Sequence, residues 1–244
     1  MKLLNGATLR TLQFGSVALA TSALVACGGG GDSGSSPSAT ISGTAAVGAP
    51  LANASVVLTC KNGTGSATAN GNGAYSATFA FDPPCAITAS SGAVTIHSIA
   101  TGPGTFNVTP LTELLLSYLA GQLGTTVSGL LSGISSNATF QNAMTNSTVI
   151  ANAEAAVVQL IKTKYGITVS STSFLTVSFT PGQPGADADL DTLQTAGAIT
   201  STGQPAASLT AAATAAGTAA PISGGGTGTP TGGTGGTGGS GTGT

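Results

Sequence analysis

Between Ser55 and Ile96 apolar and polar positions alternate with a period of two. Val56, Leu58 and Cys60 are interleaved with Ser55, Val57 and Thr59; Tyr75, Ala77, Phe79 and Phe81 are interleaved with Ser76, Thr78 and Ala80. Cys85, Ile87 and Ala89 continue the pattern, followed by Val94 and Ile96. In a strand successive side chains point to opposite faces, so this alternation buries one face and wets the other. The runs are separated by turn-forming residues: Asn62-Gly63, Asn70-Gly71-Asn72-Gly73 and Asp82-Pro83-Pro84. Residues 40–108 are therefore expected to fold as a small antiparallel β-sandwich.

At Thr109 the period changes. Leu111, Leu114, Leu115, Tyr118 and Leu119 recur at helical spacing after Thr109-Pro110, an N-cap followed by proline at the first helical position. Glu113 falls near the positive end of that helix. A second helix is predicted from about Thr148 to Tyr165, with Ile150, Ala153, Val157, Leu160 and Ile161 as its stripe and Gly166 as its stop. Short helices are expected at Val127–Ile134 and Phe140–Met144, an extended segment at Phe174–Phe179, and weaker helices at Asp187–Thr195 and Ala206–Ala216. The predicted fold class is α+β: an N-terminal antiparallel β-sandwich followed by an irregular α-helical domain, residues 109–220. Residues 27–39 form a Gly/Ser-rich tether reaching about 15–20 Å. Residues 221–244, almost entirely Gly and Thr, have too little apolar surface to offset chain entropy and are expected to be disordered.

The N-terminus carries an address. Lys2 and Arg10 precede a weakly apolar run from Phe14 to Ala26, then Leu24-Val25-Ala26-Cys27 and a run of glycines. This layout resembles the signal peptide and lipobox of bacterial lipoproteins. The resemblance implies that residues 1–26 are removed and that Cys27 is lipidated, with palmitate among its acyl chains. Gly28 in place of an aspartate points by the same resemblance to the outer membrane, lipid-anchored on its periplasmic or surface-exposed face. A plain signal peptide with Cys27 incidental is the alternative. A spanning helix needs about 20 mostly apolar residues, and Gly15, Thr21 and Ser22 interrupt this one.

Charge is scarce. Charged residues make up 5% of the chain, against roughly 25% in ordinary soluble proteins. Beyond the leader the only cations are Lys61, Lys162 and Lys164. Without a basic patch, binding to nucleic acid by phosphate neutralisation is excluded. Cys60 and Cys85 are left as an even pair in an oxidising compartment, both on the apolar side of their strands, so a disulfide is expected; two buried free thiols are the alternative. Two cysteines and one distant histidine do not make a zinc ligand set, and no metal or cofactor is expected.

Within the β half, Gly43-Thr44, then Gly48-Ala49-Pro50-Leu51-Ala52-Asn53-Ala54-Ser55-Val56, then Thr68 to Tyr75 resemble the carboxypeptidase-regulatory-like, transthyretin-type sandwich. Pro50 sets an extended backbone, Gly73 permits a positive φ in the turn, and Tyr75 plugs the sandwich. The resemblance spans about 60 residues and implies a fold with no activity, a structural or adhesive module. Lysine isopeptide crosslinks known in related modules are not expected, because Lys61 stands alone and the sheet has no glutamate. Proteobacterial lipoproteins that pair a T-P-L-T helix start (Thr109–Thr112) with a later D-x-x-L-D segment (Asp187–Asp191) resemble the helical half; no activity follows from that.

Candidate chemistry is thin. His97, the sole histidine, falls on the face of its strand opposite Val94 and Ile96, as a solvent-facing or edge-strand residue. No G-x-S-x-G elbow is present. Glu113 and Glu154 lie on different helices, where each suits a surface position or an inter-helix contact. Asp187, Asp189 and Asp191 resemble a calcium loop only superficially, with Thr192 and Ala198 where an EF-type loop requires glycine and glutamate; acids starting a helix are the better reading. Carbohydrate binding lacks a tryptophan platform. The sequence thus points to a lipid-anchored cell-envelope protein with a non-catalytic interaction or structural role, touching the membrane through its lipid and a protein or glycan partner. The alternatives are a periplasmic accessory that binds a secreted or membrane protein through the helical domain, and a hydrolase using His97.

Overall fold

The computed structural model describes residues 37–222. Cys27, most of the expected tether and nearly all of the expected tail lie outside them. Among the described residues seven strands precede six helices: β1 Ser38–Thr44, β2 Ser55–Cys60, β3 Thr64–Thr68, β4 Ala74–Ala80, β5 Cys85–Ser91, β6 Val94–Ala100 and β7 Gly104–Thr105, then α1 Pro110–Gln122, α2 Val127–Gly133, α3 Ala138–Thr145, α4 Ser147–Tyr165, α5 Ala186–Thr195 and α6 Ala207–Thr218. The α+β class and the order of its halves are as expected.

The strands form two sheets, β4-β1-β7 and β3-β2-β5-β6. The second is antiparallel throughout. In the first, β1 runs antiparallel to β4 but parallel to β7, so the sandwich is not purely antiparallel. Val56, Leu58, Ile87 and Ile96 from one sheet meet Ile41, Tyr75 and Ala77 from the other in a buried core. The Tyr75 hydroxyl donates to Phe106 O at 2.5 Å, which satisfies its polar end inside the core. Burial pushes its pKa up. At the β3–β4 turn Gly73 takes φ 74°, and a Cβ there would overlap the Ala45 carbonyl. Cys60 and Cys85 stand opposite each other in the β2–β5 register and are disulfide-bonded.

β1, β3 and β7 do not stand out in the hydrophobic pattern. β3, Thr-Gly-Ser-Ala-Thr, alternates only between exposed and half-buried; pairing with β2 makes it a strand.

Gly166 ends α4 as expected, but the Thr109 hydroxyl, expected to cap α1, has no hydrogen-bond partner. Asn146 accepts from Thr148 N and Val149 N at the start of α4, and Gly166 ends it at φ 69°. The expectation for α1 was too narrow. Beyond the predicted stripe, Leu116, Ser117, Ala120 and Gly121 are buried as well, because β6, α2, α4 and α6 all pack against it. A helix covered on every side is a core element rather than an amphipathic surface one. The buried core runs without a break from Ile41 through Leu115 and Leu119 to Val157 and Leu209. Small residues bring α1 and α6 close: a Cβ on Gly121 would strike Thr214 O, and one on Gly217 would strike Tyr118 O. No single helix among the described residues is long and apolar enough to cross a membrane.

The segment predicted as extended, Phe174–Phe179, is not a strand. Ser173 O accepts from Thr176 N and Val177 N at 3.1 and 2.9 Å, closing a turn, and irregular backbone follows. Its apolar character reflects two adjacent buried anchors, Phe174 and Leu175, at 3% and 1% exposure.

Candidate functional site

β6 is the last strand of the four-stranded sheet, so its outer N–H and C=O groups need partners from elsewhere. The start of α1 supplies them at His97. The Glu113 carboxylate accepts His97 N–H at 2.6 Å, and the Thr112 hydroxyl donates to His97 O at 2.7 Å. The same hydroxyl accepts Thr109 N–H at 3.0 Å, capping the helix. Two residues along the strand, Gln204 Nε2 donates to Thr95 O at 2.9 Å. The edge is closed by side chains, not by another strand.

Glu113 Oε1 also lies 2.7 Å from His97 Nδ1. An ionised carboxylate only accepts, so Nδ1 carries the proton, and in the neutral ring Nε2 is an acceptor. His97 is thus an edge-strand histidine, as expected, with a partner the sequence did not name. Glu113 is corrected: it is neither a surface residue nor an inter-helix contact but a clamp from helix to sheet. The side chains are 29% and 13% exposed.

Around this pair lies an open groove of about 560 Å³. Its floor is the outer face of β5 and β6, where Thr88 stands opposite His97. Two residues along each strand, Ala86 and Ile99 are buried; two residues the other way, Thr95 is exposed. The groove therefore follows the line where the helices leave the sheet. α2 is its wall, presenting Val127, Ser128, Leu131 and Ser132, and Gln204 closes one end. None of these hydroxyls hydrogen-bonds the His97 ring, so base and orienting acid are together without a bonded nucleophile among the described residues.

Glu154 is also corrected. It is buried on α4 and accepts Leu175 N–H at 2.9 Å. Burial raises its pKa, and that backbone bond opposes the rise. A buried polar residue with three side-chain hydrogen bonds, Asn107, was missed. It is fully buried, and its side chain accepts Thr44 N–H at 3.2 Å and donates to Phe174 O and Val177 O at 3.1 and 2.6 Å. Its only signal in the sequence is an amide between two apolar residues just before a helix, which could not be told from a turn.

The three aspartates do not converge. Asp187 accepts Gly182 N–H at 2.6 Å, Asp189 accepts Ser170 N and Oγ at 2.8 and 2.6 Å, and Asp191 is exposed. Asp187 and Asp189 lie in the first turn of α5, the helix-start position expected of them. Among the described residues no three His, Cys, Asp or Glu side chains gather to hold a metal ion. Compared with protein-family models, curated proteins and solved structures, the chain matches none.

Proposed function

We propose that this chain is a lipid-anchored protein of the cell envelope, held at the outer membrane through Cys27, and that it acts by binding rather than by catalysis. The lipobox pattern supports the anchor, and the Cys60–Cys85 bridge fits an oxidising compartment. Two or more acyl chains would make the anchoring stable, since each buried methylene contributes about 0.8 kcal/mol. We take the sandwich to be a transthyretin-type module. The pairing of a three- and a four-stranded sheet, the buried Tyr75 and the left-handed Gly73 support that reading.

The observation that carries the binding role is the groove built on His97 and Glu113. Its polar pair is fixed by backbone hydrogen bonds at a sheet edge, a rigid arrangement suited to recognition.

Anchoring is tested by Cys27→Ala. The wild-type chain should incorporate labelled palmitate and fractionate with the outer membrane, and the variant should do neither. A variant that stays in the outer-membrane fraction, with a wild type that takes no label, refutes the proposal.

A further inference from the structure

We infer that the His97–Glu113 groove binds a neutral, hydroxyl-rich ligand of one or two sugar rings. This rests on the binding role proposed above and names the ligand class. The charge pattern argues for it first. With the His97 ring neutral, Glu113 is the only formal charge among the groove's lining residues, and Lys61, Lys162 and Lys164 all lie outside that lining. No fixed cation is there to compensate an anionic ligand.

The hydrogen-bonding inventory is the second argument. Glu113 Oε1 is occupied by two donors from His97, which leaves Oε2. His97 Nε2 is an acceptor in the tautomer set by Glu113, and the Gln204 amide spends a donor on Thr95 O, keeping its carbonyl. Three lining residues thus carry an acceptor with no protein partner, against one spare N–H on Gln204, a balance that suits a ligand bringing several O–H donors. The Ser128 and Thr88 hydroxyls can return bonds in either sense, while Ser132 Oγ donates to Gly129 O at 3.2 Å and is left as an acceptor. Leu131 and Val127 give the wall an apolar surface against which ring C–H groups can pack.

The third argument weighs against the main competitor. An extended peptide would bind here by adding a strand to β6, but Thr112 and Glu113 already occupy both outer backbone groups of His97, and Gln204 occupies the carbonyl of Thr95. A volume of about 560 Å³ lies in the ordinary small-ligand range of about 300–1,000 Å³.

The sole histidine makes the test direct, because the imidazole signals in a long-range ¹⁵N–¹H spectrum belong to His97 without further assignment. The full chain is titrated with maltose, cellobiose and N,N′-diacetylchitobiose to 50 mM, and with glucose and glucuronate as a matched neutral and anionic pair. At least one neutral disaccharide should give a saturable shift of the His97 signals, and glucuronate should give none. Ser132→Trp, at an exposed position on the wall, should weaken that binding at least tenfold while the rest of the spectrum stays native; Ser128→Trp serves if Ser132→Trp does not fold. Shifts that stay linear for all sugars, that survive the tryptophan, or that glucuronate matches overturn the inference. The anchor is judged separately: a chain that takes palmitate but binds no sugar loses only this inference, and one that binds sugar without an anchor loses only the lipoprotein reading.

Discussion

Asn107 and Glu154 hold the two backbone groups of a single residue. Asn107 N–H donates to Leu175 O at 2.7 Å, and Leu175 N–H donates to Glu154 Oε1 at 2.9 Å. One comes from the end of the sheet and the other from α4, so the turn at Phe174–Val177 is fastened to both halves of the fold. The buried amide and carboxylate substitute for the ladder that a true strand would have provided.

Asn107→Ala should therefore be among the most damaging single changes. It strands Thr44 N–H, Phe174 O and Val177 O in the interior, and each such group costs about 1–3 kcal/mol. A loss of roughly 3 kcal/mol or more is expected in urea unfolding. A loss below about 1 kcal/mol would show that the turn relaxes to satisfy itself.

Glu154 predicts a pH dependence. Its pKa is raised in the folded protein by burial, so the folded state holds the proton more tightly than the unfolded chain does. Its contribution is complete below the ordinary carboxylate pKa and declines as pH rises through the raised value. Glu154→Gln keeps an oxygen for Leu175 N–H and removes the titration. The variant should lose this share of the pH slope, gaining on the wild type between pH 4 and pH 8. Parallel stability curves across that range would contradict the prediction.

The close contact of α1 and α6 should reject a single methyl. Alanine is about 1 kcal/mol better than glycine inside a helix, yet at Gly217 its Cβ would overlap Tyr118 O. Gly217→Ala should cost about 1–3 kcal/mol through forced separation of the helices. Thermal unfolding should show a clear drop, while Gly71→Ala, with nothing within 4 Å, should leave the midpoint nearly unchanged.

Glu113→Ala removes the acceptor of His97 N–H and uncovers part of the β6 edge. Faster hydrogen exchange at that amide and a stability loss of about 1–3 kcal/mol are expected. An exposed strand edge also invites pairing between chains, so light scattering should detect association in the variant before the wild type. Unchanged exchange at His97 would show that the edge has another cover.

The alternation through Val56, Leu58, Tyr75, Ile87 and Ile96 was sufficient to place the main strands, and the 3.6-residue spacing after Pro110 to place the helices. Both are local consequences of where a side chain points when the backbone repeats. The Gly166 helix end was legible for the same reason, since a cap acts within one turn. The disulfide partner of Cys60 followed from Cys85 being the one other cysteine in the β half, also on the apolar side of its strand.

What only the tertiary structure decided depends on groups far apart in sequence. β3 is a strand because β2 lies beside it, and β7 pairs parallel to β1 because the chain returns past it. His97 and Glu113 meet because a sheet edge must have its backbone groups satisfied, and the first turn of α1 is where that requirement is met. Asn107, Glu154 and the segment around Leu175 show the same physics in the core. Hydrophobic periodicity records which side of an element is buried; it carries no information about which distant polar group completes a buried hydrogen bond.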